Sequence, residues 1–407
     1  MTTRRQFLVS GLGSAASLAA GVWLPRVSLA ATGGDRRFVL VILRGAVDGL
    51  SLVPPWGDPD YVEAREVLAL ARPDGSEGSA LPLHSIFGLH PALAGIHALY
   101  GSGELLAAHA LATPYRDRSH FDGQNVLESG GDRPSGAAVG WLNRALVSLG
   151  PAPHEARLGG LAIGQNVPLV LRGPVEVASW SSSVLPEVEP DLIARLRDLY
   201  SNDSLLAARL DEAMRIDALA DAGGMMRAPG KNAMQLRVVA RAAGRMLAAP
   251  AGPRIAVMDA TGWDTHASEG AAQGVLASRL RGLDGALLAL KEGLGPAWSR
   301  TIVLVCTEFG RTVAVNGTRG TDHGTGAAAL MLGGAVRGGR VLADWPGLAP
   351  SARRDGRDLR PTMDVRALFA GVLRDHLGVP ESALPQVFPG RGRVVPIRDL
   401  VGFHEAA

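Results

Sequence analysis

The chain has 407 residues, 47% hydrophobic and 20% charged, a globular composition that excludes a disordered protein. Its 41 basic and 39 acidic residues leave a net charge of +2, and because Arg4, Arg5 and Arg26 fall within residues 1–30, where there is no acid, the remainder carries −1; no nucleic acid is expected as a partner, since that needs a concentrated basic face. The single Cys306 excludes an intramolecular disulfide framework and any cysteine-built zinc or iron–sulfur centre.

In chain order, Arg4-Arg5 precede an uncharged stretch from Phe7 to Leu24, followed by Arg26 and the small-residue pattern Ser28-Leu29-Ala30. Residues 1–30 therefore read as a twin-arginine signal peptide, cleaved after Ala30, which implies contact with the twin-arginine (Tat) export machinery and a periplasmic or secreted product. No other apolar run is long enough to span a bilayer, so no stable membrane span is expected after cleavage. Phe38 to Leu43 is a continuous apolar, β-prone run, and the lack of alternation predicts a central strand buried on both faces. Arg254–Asp259, Thr301–Cys306 and Ala327–Leu332 read the same way, and Leu105–Leu111 is a weaker fifth strand. Helical periods predict helices over Leu192–Ala220, Ala233–Ala248, Val275–Leu294 and Val365–Leu377, the last closed by Gly378 with Pro380 just beyond. Residues 173–250 show a polar turn and two long helices without a strand, a helical insertion on a single domain of residues 31–407. Strands separated by helices predict an α/β fold, a central mostly parallel sheet with helices on both faces.

Ligands of open parallel sheets gather beyond the carboxyl ends of the strands, so the segments flanking each strand are the useful ones. Asp48 follows the first strand, and Ser119-His120-Phe121-Asp122 follows the weaker one. Gly262-Trp263-Asp264-Thr265-His266 follows the third, Thr307-Glu308-Phe309-Gly310-Arg311 the fourth, and Gly320-Thr321-Asp322-His323-Gly324 precedes the last. Carboxylates crowded at one sheet edge repel unless protonated or neutralised, and a divalent cation neutralises them at short range. Asp and His together suit zinc, manganese or iron. Asp264 and His266, two apart, face the same way in an extended loop, whereas Asp322 and His323 point apart unless the chain turns. Asp48-Gly49 and Asp122-Gly123 are also ordinary turn dipeptides, and Glu308 and Arg311 could form a plain ion pair. His84, His90, His97 and His109 read as core histidines and Cys306 as a small buried hydrophobe. No G-x-S-x-G elbow, P-loop, dinucleotide-binding glycine turn or H-E-x-x-H motif occurs in the mature chain.

The segments LVILRGAVDGL, RSHFDGQNVLESG, GWDTH, CTEFGRT and GTDHG resemble the exported bacterial proteins grouped as DUF1501, which are in turn similar to a branch of the alkaline phosphatase superfamily. The resemblance implies an alkaline-phosphatase-like three-layer sandwich with one or two divalent ions beside a Ser or Thr nucleophile. Asp48 is similar in position to the aspartate of the second metal, Asp264 and His266 to the pair of the first, His323 to the histidine completing that site, and Ser119 to the nucleophile. Glu308 joins the candidate ligands, with Phe309 standing where a histidine is expected; His120 or Asp322 would then have to replace it. Arg44 or Arg311 would hold the oxyanion. Cys306-Thr307-Glu308 does not match the C/S-x-P-x-R motif of formylglycine sulfatases. Two functions follow. One is an exported metal-dependent hydrolase or transferase acting through Ser119 on a small or polymeric phosphate or sulfate ester. The other is a non-catalytic periplasmic binding or assembly protein on the same scaffold.

Overall fold

A computed structural model describes residues 35–150, 159–181, 190–200, 203–221, 232–250 and 252–402. The signal-peptide reading lies outside them. The nine-stranded sheet is built from β1 (Arg37–Arg44), β2 (Leu105–Ala112), β3 (Gly160–Ile163), β4 (Ala178–Trp180), β5 (Ile255–Thr261), β6 (Thr301–Cys306), β7 (Ala327–Leu332), β8 (Arg340–Leu342) and β9 (Met363–Asp364). Its order is β8-β2-β7-β6-β1-β5-β3-β4, with β9 also pairing β2. All pairings are parallel except those of β7, which runs against both β2 and β6.

The unalternating apolar strands bury both faces because successive side chains point to opposite sides. On β1, Val39, Val41 and Leu43 join one core, and Phe38, Leu40 and Ile42 join the other. Helices cover each side. The first core is closed by Leu276, Leu280, Leu283 and Leu287 of the helix Val275–Leu294, and by Ala240, Ala243 and Leu247 of Asn232–Ala248. The second is closed by Leu142 and Leu146 of Trp141–Leu149 and by Leu368, Phe369 and Val372 of Val365–Val372. Each fully buried aliphatic side chain contributes about 1.5–3 kcal/mol, so these layers outweigh any local propensity. The result is the expected α/β sandwich of three layers. Among the described residues no helix is long and apolar enough to cross a membrane.

Several details differ from the sequence reading. Residues 173–250 do hold a strand, β4, which extends the sheet edge through β3. Both strands have only three or four residues, too few to register as a hydrophobic run. The long helix expected over Leu192–Ala220 is two, Pro190–Tyr200 and Ser204–Asp221. The helix Val365–Val372 gives way to a π-helical turn, Leu373–Leu377, before Gly378 ends it with φ +80°. His90 and His109 are core histidines, but His84 is exposed.

Candidate metal centre

β1, β2, β5 and β6 are mutually parallel in sense, so their carboxyl ends share one edge. The reversed β7 brings its amino end to that same edge, which is why a segment preceding a strand joins segments that follow strands. Asp264 and His266 come from the loop after β5, Glu308 and Arg311 from the loop after β6, and His323 from the loop before β7. His120 opens the ten-residue helix His120–Ser129, capped by Ser119.

At the centre one ligand atom each from His120, Asp264 and His323 lie within 4.8 Å of one another. His266 Nε2 is 3.1 Å from Asp264 Oδ1 and 3.0 Å from His323 Nε2. His323 Nε2 is 3.3 Å from the same Oδ1, and His120 Nε2 is 3.4 Å from Asp264 Oδ2 without forming a hydrogen bond.

The other nitrogen of each ring decides its tautomer. His323 Nδ1 is 2.8 Å from the Arg118 carbonyl, which can only accept, so Nδ1 donates and the neutral ring keeps its lone pair on Nε2. His120 Nδ1 is 2.8 Å from Glu308 Oε1, and His266 Nδ1 is 3.1 Å from Asp322 Oδ1, both acceptors at neutral pH. In their neutral forms all three rings would therefore aim the Nε2 lone pair at the space beside one carboxylate. Two such lone pairs 3.0 Å apart repel unless a cation or proton lies between them.

The surrounding groups shift several of these side chains. Burial alone would raise the Asp264 carboxyl, but the Arg311 guanidinium, donating through Nη1 at 2.7 Å, outweighs it and holds the group below its ordinary range. The hydrogen bond to Glu308 raises the His120 ring, while burial lowers that of His323. Glu308 would be raised by burial but is lowered by His120 and Gln124; it also accepts from Gly45 N–H at 2.9 Å. Asp322 is lowered by a hydrogen bond from the Asn316 amide. Phe309 forms a wall, its ring centroid 4.9 Å from that of His120 and 5.3 Å from that of His323.

Thus Asp264, His266 and His323 converge, whereas Glu308 and Asp322 stand one step behind, orienting His120 and His266 through their Nδ1 atoms. His120 entered the sequence reading only as a substitute for the missing histidine; its signal was its place after β2. The adjacent Asp322 and His323 both reach the His266 ring, Asp322 at Nδ1 and His323 at Nε2. Ser119 precedes His120 in the chain, and its Oγ accepts from Asp122 N–H at 3.4 Å. Arg44 is occupied: Nη1 binds Glu128 at 2.8 Å and Gln124 at 2.9 Å, and Nη2 binds Asp259 at 3.1 Å. The Arg311 side chain is fully buried. Arg44 is thus committed within the protein, whereas Arg311 keeps Nε and Nη2 without a hydrogen-bond partner but buried away from solvent.

Asp48 also departs from its expected place. It caps the helix Gly49–Leu52, accepting from Leu50 N–H at 2.9 Å, and is ion-paired with Arg65 in full burial. Arg65 lies in turn 3.9 Å from Glu269. Glu269 accepts from Thr265 and Thr321 hydroxyls, each at 2.8 Å, so one carboxylate fastens together the two loops that bear Asp264–His266 and Asp322–His323. Burial and the neighbouring Asp48 charge push Glu269 up to about 8 from 4.5; Asp48 itself is lowered, because Arg65 outweighs its burial. An acid raised on folding costs stability as pH climbs from its unfolded value toward its folded one. Glu269→Gln removes this cost, so the variant should gain on the wild type between pH 5 and pH 8 in thermal melts; parallel curves would show that Glu269 is ionised in the fold.

Gly45 explains how the Asp264 loop comes so close to β1. Its φ is +118°, and a Cβ there would lie 2.7 Å from the Asp264 backbone nitrogen. Gly45→Ala is expected to cost about 1–3 kcal/mol in denaturant unfolding and to weaken cation binding with it; unchanged stability would mean that the loop is free to move away.

The family described as "Protein of unknown function (DUF1501)" matches residues 100–387. No curated protein matches the sequence. Among solved structures, a 2-O GAG sulfatase matches with TM-score 0.40 and 12% identity over 88% of this chain and 73% of that one. A Pseudoalteromonas sulfatase matches with TM-score 0.38 and 14% identity over 90% and 72%. The phosphonate monoester hydrolase of Agrobacterium radiobacter matches with TM-score 0.32 and 12% identity over 88% and 78%.

Proposed function

The chain belongs to the DUF1501 family, and from that premise we propose that it is an exported, divalent-cation-dependent hydrolase or transferase of phosphate or sulfate esters. The convergence of three imidazole Nε2 atoms on the Asp264 carboxylate carries this reading. A set of three imidazoles and one carboxylate has the donor chemistry of zinc or manganese, and the buried Nε2 of His120, with no hydrogen-bond partner, fits a role as ligand. His120, Asp264, His266 and His323 would hold the ion, while Glu308, Asp322 and the Arg118 carbonyl fix the ring orientations, as outer partners of metal-bound histidines do. Bound there, a divalent cation supplies Lewis acidity toward an ester oxygen and offsets developing negative charge.

The chain's own groups supply the rest. Ser119 is the nucleophile that the family resemblance implies, and its one long hydrogen bond to Asp122 N–H is weak enough to be given up. Attack by its oxygen forms the new bond to phosphorus or sulfur as the bond to the leaving oxygen breaks, and the Ser119 proton departs to solvent or a neighbouring base. The first-turn N–H groups of His120–Ser129 lie next to it and favour an anion. Arg311, too buried to touch the ester, keeps Asp264 ionised. The test is elemental analysis of protein purified without chelators, followed by turnover of p-nitrophenyl phosphate and p-nitrophenyl sulfate. Near-stoichiometric cation with turnover that a chelator abolishes is the expected result. Cation without turnover of these or a wider ester panel would support the binding-protein reading instead, and absence of cation would overturn the metal centre.

A further inference from the structure

Beside this centre lies a cavity of about 620 Å³, within the range of small-molecule sites, at the carboxyl ends of β3 and β5 and between the helices Asn232–Ala248 and Val275–Leu294. Its described wall includes Gln165, Ser181, Gln235, Asp259, Trp263 and Arg279. Trp263 is the residue before Asp264, so the cavity and the cation cluster share one loop.

The charges of this wall are unequal in their commitments. Asp259 is held by Arg44 Nη2 at 3.1 Å, a guanidinium that it shares with Glu128 on Nη1 at 2.8 Å. Arg279 has no carboxylate partner among the described residues; its one hydrogen bond runs from Nη1 to the Thr261 carbonyl at 3.5 Å. The exposed guanidinium lies against Gly262, whose φ is +93°. A guanidinium without a carboxylate partner at a cavity wall is a receptor for a carboxylate, sulfate or phosphate group. The side-chain amides of Gln165 and Gln235 and the Ser181 hydroxyl each donate and accept, which suits a ligand body bearing several hydroxyl groups.

We infer that this cavity binds a polyhydroxylated anion, its acidic group on Arg279 and its hydroxyl groups on Gln165, Gln235 and Ser181. The inference rests on the proposed ester chemistry only in naming this anion as the body of the substrate; the binding site itself does not depend on turnover.

The experiment is equilibrium binding by calorimetry, using gluconate, glucuronate and glucose 6-phosphate as anionic probes and sorbitol and glucose as their neutral counterparts. At least one anion should bind at least tenfold more tightly than its neutral counterpart, and Arg279→Ala should erase that advantage while Arg279→Lys restores part of it. Gln235→Ala should weaken anionic and neutral probes alike. The His266→Ala, His323→Ala double variant should lose cation but keep probe binding. If probe binding survives there while no ester is turned over by the wild type, the cavity stands and the hydrolase reading falls. Equal affinity for charged and neutral probes, no binding of any probe, or binding indifferent to Arg279→Ala would overturn the inference.

Discussion

The His266→Ala, His323→Ala double variant should retain its fold and lose its divalent cation. Both rings are only partly buried, with side chains 45% and 26% exposed, and neither belongs to the apolar cores, so removing them creates no large cavity. What disappears is two of the four neutral or anionic donors around the common space, and a single imidazole with one carboxylate is too few for tight zinc or manganese binding. Elemental analysis and circular dichroism of the pair of proteins check both halves. A graded version acts one step further out: Glu308→Ala leaves every ligand in place but frees His120 Nδ1, and outer-partner losses of this kind cost about 10–100-fold in metal affinity. Full occupancy in the double variant would mean that the ion sits elsewhere.

Ser119→Ala should separate chemistry from metal binding. The hydroxyl is the attacking group in the proposed reaction, and deleting a nucleophile costs about 10⁴–10⁶ in kcat where the covalent route dominates. The same hydroxyl caps a helix, so a stability loss of about 0.5–2 kcal/mol is also expected. Ser119→Gly, which costs a cap only a few tenths of a kcal/mol, controls for that effect. Loss of turnover in both variants, with cation content unchanged, assigns Ser119 as nucleophile. Turnover within tenfold of wild type would remove Ser119 from the chemistry and leave water as the attacking group.

The central strands were legible because burial on both faces demands unbroken apolar runs, and Phe38–Leu43, Thr301–Cys306 and Ala327–Leu332 leave no other reading. The edge strands Gly160–Ile163 and Ala178–Trp180 were not, because their pairing is imposed by the neighbour already in place. At the site, residue type and sheet position pointed to Asp264, His266 and His323. They could not show which acids touch the common space and which stand behind a ring, since Glu308 and Asp322 carry the same chemistry as Asp264. Asp48 misled for a related reason. Its partner Arg65 lies in the short helix Tyr61–Arg65, whose packing beneath the loops no local pattern announces.

The Glu269 carboxylate has a thermodynamic consequence. By tying Thr265 to Thr321, with Thr321 N–H also on the Thr265 carbonyl at 3.1 Å, it makes the two ligand-bearing loops one body before any ion arrives. Cation binding should then proceed with almost no change in heat capacity, unlike coupled folding and binding, which buries new apolar surface. Amide hydrogen exchange in residues 262–269 and 318–324 should be slow already in the apoprotein and should slow little more on loading. The protein would meet its ion with a socket rather than a closing hand.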